Sequence, residues 1–210
     1  MSIKIENYTK IIKNNTVLDN INCHFEDNKI YGIRGKNGSG KTMLLRAIAG
    51  LIYPTKGHIF IDNEELGKTI SFPRSIGILI ENPCFINNYS AFQNLNLLAG
   101  LQKITNIEEV IRLIRAIGLD PESKKTYKKF SLGMKQRLGI AAALLGNPKI
   151  ILLDEPTNAL DDMGTQLVRD ILIEFKNMGS TIIIASHDME ELQYLSDEIL
   201  IMSEGKLQPT

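Results

Sequence analysis

Residues 31–45 read YGIRGKNGSGKTMLL, a short apolar run, then a glycine-rich loop, then an abrupt return to apolar residues. Inside it, Gly35–Thr42 (GKNGSGKT) has the spacing G-x-x-x-x-G-K-T between a strand pattern and a helix pattern. Glycines at 35, 38 and 40 allow backbone N–H groups to turn inward around phosphate oxygens with no Cβ in the way. Lys41 has the reach for β- and γ-phosphates, and the Thr42 hydroxyl suits a magnesium ion. A helix starting near Lys41 adds the positive end of its dipole. The run Gly35, Lys36, Asn37, Gly38, Ser39, Gly40, Lys41 and Thr42 is therefore the candidate phosphate cradle, a P-loop.

Bulk properties narrow the setting. The chain has 210 residues with 24 Lys plus Arg against 24 Asp plus Glu. No global field draws it to nucleic acid or an acidic membrane, and nucleic acid is not an expected partner. No segment reaches the roughly 18 apolar residues that span a bilayer, and MSIKIENYTK lacks a signal-peptide core. Cys23 and Cys84 fit no metal spacing and read as buried, reduced thiols.

Outward from the loop, strand and helix patterns alternate. INCHFE (21–26) alternates apolar and polar residues as a half-buried strand does, and residues 1–30 read as strands. TMLLRAIAG is helical, with Gly50 as its cap, and HIFID and IGILI (76–80) are strands. Residues 90–146 hold three helical patterns. Ser90 with Gln93 and Asn106 with Glu109 look like capping boxes, and Ser131 starts the third helix. The α/β rhythm then returns: strand IILLD, a helix over 164–178, strand TIIIA, a short helix near 188–196 and strand EILIM. The pattern predicts one α/β domain over 1–210 with a mostly parallel core sheet, interrupted by a helical insertion at about 82–148.

Three more segments carry chemistry. In IILLDEPTNALD (150–161) an apolar strand ends at Asp154, placed to hold magnesium through water. Glu155 follows as a candidate general base. In FSLGMKQR, Ser131 caps a helix whose first turn holds Gly133, a second anion-binding terminus or an ordinary capped helix. His187, just past strand TIIIA, lies where open α/β sheets place their sites, and fits a site or a surface residue equally.

In this order, the segments resemble those of the ATP-binding-cassette (ABC) ATPases, the nucleotide-binding subunits of membrane transporters, over about residues 3–207. GKNGSGKT resembles the Walker A loop, IILLDE the Walker B strand, and FSLGM the signature motif. NALD, ending at Asp161, resembles the D-loop, and the histidine of SH the switch residue. The resemblance implies ATP and Mg²⁺ as cofactors, with Thr42, Asp154 and Glu81 around the metal. It implies catalysis by Glu155, His187 and Lys41. It also implies two such subunits, identical or not, packed head to tail. Ser131, Leu132, Gly133 and Met134 of one would then face the ATP of the other. A polytopic permease would be the membrane partner, and the location cytoplasmic, on the inner face of the membrane.

Three positions depart from the family pattern: FSLGM replaces Leu-Ser-Gly-Gly-Gln, Ile12 stands at the adenine-stacking aromatic, and Glu81 replaces a glutamine. Ile12 predicts weak discrimination between ATP and GTP, with Tyr8 as the other candidate for reading the base. Glu81 and FSLGMKQR resemble the bacterial branch that exports, or confers immunity to, peptide antibiotics such as bacitracin and lantibiotics. Because the sequence stops soon after the last strand, no C-terminal regulatory domain is expected. A soluble cassette ATPase of translation or DNA repair is the competing reading, and a GTPase switch or small-molecule kinase a more distant one. The lysines of ESKKTYKKF (122–130) read as a solvated linker, or as contacts to anionic lipid.

Overall fold

Two sheets share the chain in the computed structural model, which describes residues 1–104 and 106–209. The first is antiparallel, in the order β2-β1-β4-β5, from β1 (Ile3–Ile12), β2 (Asn15–Phe25), β4 (Lys56–Ile61) and β5 (Glu64–Glu65). The second runs β10-β9-β3-β8-β7-β6. It comprises β3 (Ile30–Arg34), β6 (Ile76–Leu79), β7 (Ile150–Asp154), β8 (Thr181–Ser186), β9 (Glu198–Ser203) and β10 (Lys206–Pro209). All its neighbours pair in parallel except β10, which folds back antiparallel on β9. The fold is an α/β P-loop NTPase with an antiparallel β subdomain and inserted helices.

The parallel strands read as unbroken apolar runs because both faces are covered. In β7 the side chains divide by parity. Ile150 and Leu152 join the cluster of the antiparallel sheet and α1 (Lys41–Ile48). Ile151 and Leu153 join the cluster of the remaining helices. Those helices are α2 (Ala91–Leu101), α3 (Ile107–Ala116), α4 (Leu132–Leu144), α5 (Asp162–Asn177) and α6 (Met189–Leu195). The first three lie between β6 and β7 in sequence, so a helical block hangs from the strand pair nearest one sheet edge.

Local chemistry explains most boundaries. Ser90 forms the full capping box with Gln93, and Gly118 turns the chain out of α3 at φ +69°. Asn106 differs from expectation. Its side chain accepts from the Glu108 amide, while Glu109 reaches across to the Gly146 amide at 3.0 Å. A tertiary acceptor role has replaced the box. The fifth helix starts at Asp162, two residues before the expected 164, because Asp161 caps it by accepting from Gly164 N–H at 2.8 Å. The thiols are free, but only Cys23 is even partly buried; Cys84 is exposed, contrary to the expectation for it. No helix among the described residues is long and apolar enough to cross a membrane.

Candidate active site

The cradle forms where β3 delivers the chain to α1. Gly40 occupies the N-cap at φ +112°, where a Cβ would sit 2.9 Å from Met202 Cε and 3.0 Å from the Val17 carbonyl. A Cβ on Gly35 would lie 2.5 Å from the Met202 carbonyl. Both positions therefore demand glycine, one for its backbone conformation and both for space. The first-turn amides of α1 have no partners within the helix and open onto the loop.

Charged groups converge there. Lys41 is 6% exposed, and its Nζ donates to the Gly35 carbonyl at 2.6 Å. It also lies 3.6 Å from Glu155 Oε1. The Thr42 hydroxyl donates to Asp154 Oδ2 at 2.5 Å. The Asp154 carboxyl is held above its ordinary pKa, chiefly by burial, and also by the Glu155 and Glu81 charges; Thr42 and Lys41 oppose this. Glu155 Oε2 lies 2.9 Å from His187 Nδ1 and accepts from the Ser186 hydroxyl at 3.3 Å. Ser39 Oγ and Glu155 Oε1 are buried with no hydrogen-bond partner among the described residues. Polar atoms left unpaired at a cradle of amides and one lysine fit a polyanion with its counter-cation, since such groups otherwise carry a desolvation cost.

The cavity over the cradle holds about 540 Å³. Lys36, Asn37, Gly38, Gly40, Lys41, Thr42, Asp154 and Glu155 line it. A neighbouring cavity, also about 540 Å³, includes Gly35, Ser39 and His187. His187 thus lies beside the cradle, next to Glu155. It is held between β8 and α6, where Asp188 caps the helix by accepting from the Glu190 and Glu191 amides. Arg169 on α5 ties that helix down through Glu191 at 2.5 Å.

Other expected residues lie apart. Ile12 is 38% exposed at the end of the β1–β2 hairpin and does not line either cavity. Tyr8 is 1% exposed, and its hydroxyl donates to the Ile52 carbonyl at 3.2 Å. It is a core residue and offers no face to a base. Glu81 adopts φ +65° and makes an ion pair with Arg46 of α1. It nonetheless lines a cavity of about 340 Å³ with Leu132, Asp154 and Glu155. Ser131 caps α4 by accepting from Met134 N–H at 3.2 Å. None of Ser131, Leu132, Gly133 and Met134 lines the cradle cavities. Asp161 is engaged as the α5 cap.

Several site residues carried no sequence signal. Thr16 and Val17 of β2 line the cradle cavity, as do Glu204 and Gly205 of the β9–β10 turn. Gln136 is another such residue; its amide donates to the Glu155 and Pro156 carbonyls at 3.1 and 3.2 Å.

A strand–glycine loop–helix cradle, with a strand-end Asp-Glu pair facing its lysine, defines a P-loop nucleoside triphosphatase. The comparisons are more specific. A family model described as ABC transporter matches residues 18–158, and one described as AAA domain, putative AbiEii toxin, matches 124–193. The ABC transporter ATP-binding protein YybJ of Bacillus subtilis is 50% identical, over 98% of this chain and 94% of its own length. The lantibiotic transport ATP-binding protein SrtF of Streptococcus pyogenes is 38% identical over 98% of this chain and 88% of its own. The bacitracin transport ATP-binding protein BcrA of Bacillus licheniformis is 42% identical over 98% of this chain and 68% of its own. Among solved structures, the dimeric post-hydrolysis ATP-binding cassette MJ0796 bound to ADP and Pi superposes with TM-score 0.85 at 25% identity. That match covers 99% of this chain and 98% of the other. The chain belongs to the ABC transporter family, as an ATP-binding and ATP-hydrolysing subunit.

Proposed function

We propose that this chain drives export of a peptide antibiotic, or immunity to one, by closing with a second ATPase subunit around two ATP molecules. The cargo class follows from the likeness to SrtF and BcrA. We read residues 1–210 as one cassette, with 82–148 as the inserted helical part. The observation that carries the two-subunit reading is the separation within one chain. The capped terminus at Ser131–Gly133 lies outside the cavity that Lys41 and Glu155 share. Each half of a triphosphate site therefore needs its complement from another subunit.

In this reading the cradle from Gly35 to Thr42 holds the phosphates, and Lys41 turns from the Gly35 carbonyl to the γ-phosphate. Thr42 and Asp154 would hold Mg²⁺, with Glu81 reaching it once released from Arg46. The ion would neutralise charge developing on the phosphate oxygens. Glu155 accepts the proton of the attacking water as its oxygen bonds to the γ-phosphorus and the bond to the ADP oxygen breaks. His187 fixes the orientation of that carboxylate. Hydrolysis removes the shared γ-phosphate and lets the subunits part. Ile12 would pack on the base with less surface than an aromatic ring.

A polytopic permease is the proposed membrane partner, and the chain sits peripherally on the cytoplasmic face. An open groove of about 360 Å³ between α1 and the helical block, where Leu51, Ile78, Phe85 and Leu98 stand beside the Arg46–Glu81 pair, would be the seat for it. The experiment is affinity purification from detergent-solubilised membranes, followed by reconstitution of the complex. A co-purifying polytopic protein and ATP-dependent movement of a lantibiotic- or bacitracin-type peptide support the reading. Purification as a free ATPase bound to ribosomes or DNA overturns it.

A further inference from the structure

Glu155 sits at φ +49°, a left-handed backbone that non-glycine residues seldom adopt. Its own amide is fixed to β8, donating to the Ala185 carbonyl at 2.8 Å. On its other side, the two consecutive carbonyls of Glu155 and Pro156 receive the two protons of one side-chain amide, that of Gln136. Gln136 is 9% exposed and stands on α4, in the turn that follows the Ser131 cap. A Cβ on Gly133, one turn earlier on the same helix, would lie 3.0 Å from the Ala159 carbonyl of the segment after Glu155. The helix that starts at Ser131 and the loop that carries Glu155 are thus joined at two points within one chain.

We infer that Gln136 is a positioning residue, which sets the Glu155 carboxylate according to what the Ser131 end of α4 touches. This rests on the two-subunit reading above. There, Ser131 of one subunit meets the γ-phosphate held by its partner, while Glu155 of the same subunit serves its own ATP. A shift of α4 on meeting the partner's nucleotide is transmitted through two hydrogen bonds to the strained peptide at Glu155. Each site then becomes competent when the other is filled, and hydrolysis is cooperative in ATP. The amide is suited to this because two donors on one nitrogen match two adjacent acceptors. Leucine has similar bulk and no donor.

Gln136→Leu is expected to bind ATP within about twofold of the parent, to lower kcat on the order of 10- to 100-fold, and to bring a sigmoidal ATP dependence close to hyperbolic. A role confined to holding α4 would change Tm and KM without this split. The decisive comparison uses mixed dimers in which one subunit carries Glu155→Gln, leaving a single working glutamate. Gln136→Leu is placed either in the chain with the intact Glu155 or in the other chain. Both mixtures contain the same substitutions, so a folding defect acts on both alike. Positioning lowers activity strongly only when Gln136→Leu and the intact Glu155 share a chain. Equal activities, or greater loss in the opposite arrangement, overturn the assignment. If the parent hydrolyses ATP as a monomer with hyperbolic kinetics, the two-subunit reading and the coupling fall together. If the parent is cooperative but the arrangements match, only the Gln136 assignment falls.

Discussion

Glu155 Oε2 and His187 Nδ1 lie 2.9 Å apart, across the ends of adjacent parallel strands β7 and β8. The Ser186 hydroxyl donates to the same Oε2, while Oε1 has no hydrogen-bond partner among the described residues and lies 3.6 Å from Lys41 Nζ. One oxygen is anchored from two sides, and the other is a buried acceptor facing Lys41.

Glu155→Gln keeps the shape and an oxygen for His187 but removes the base. ATP binding is expected to persist while hydrolysis slows by roughly 10²- to 10⁴-fold. The ATP-bound pair then survives size-exclusion chromatography as a dimer. Near-normal turnover in this variant removes Glu155 from the role.

The separation of Ser131 from the cradle predicts complementation. Lys41→Ala and Ser131→Arg subunits, each inactive alone, are expected to recover activity when mixed, because one interface then combines an intact loop with an intact helix terminus. Wild-type specific activity should climb with protein concentration until association saturates. A flat concentration dependence with no rescue argues for a self-contained monomer.

If Ile12 stands at the base, weak base selectivity is expected. Losing an aromatic face costs on the order of 0.5–1.5 kcal/mol, so ATP and GTP affinities are expected within about tenfold. Ile12→Tyr tightens ATP binding. Tyr8 is ruled out as a substitute reader by its burial, which pushes its phenol up to about 12. Equilibrium titration with fluorescent ATP and GTP analogues checks this, and strong ATP preference in the parent would move base recognition to Thr16 or Val17.

The Arg46–Glu81 pair refines the expectation for the metal. Both side chains are substantially solvated, at 34% and 63% exposure, so breaking the pair alters stability by less than about 1 kcal/mol. Glu81 carries a charge close enough to raise the Asp154 pKa. Magnesium dependence of ATPase activity is expected to be steeper in the wild type than in Glu81→Gln, and steeper still in Arg46→Ala, where the carboxylate is unmasked. Superimposable titrations for all three proteins leave Glu81 as a surface partner of Arg46.

The two thiols differ sharply in reactivity. Burial, with the Glu198 carboxylate nearby, pushes Cys23 up to about 12, so at pH 8 only about one part in ten thousand is thiolate. Cys84 is exposed at the edge of the groove beside Phe85. Maleimide at pH 8 should modify one thiol per chain quickly, and mass mapping should place it at Cys84. Rapid loss of both thiols overturns the assignment of Cys23 as a shielded side chain.

The sequence by itself determined the elements whose signals are local. Gly40 at φ +112° is a backbone necessity of a turn that tight, and the spacing of the loop glycines is written in the chain. Period-2 and unbroken apolar runs followed from burial on one or both faces, and Ser90, Ser131 and Gly118 marked helix ends through their own backbone and side-chain chemistry. What only the tertiary structure decided were partnerships between residues far apart in sequence. Glu109 left a local cap for Gly146, Glu81 paired with Arg46, Gln136 took the Glu155 and Pro156 carbonyls, and Tyr8 turned into the core. A carboxylate or amide suits many acceptors and donors equally well, and its choice among them depends on which atoms the fold brings within 3 Å. That proximity is fixed by the packing of sheets and helices on one another, which no short stretch of sequence contains.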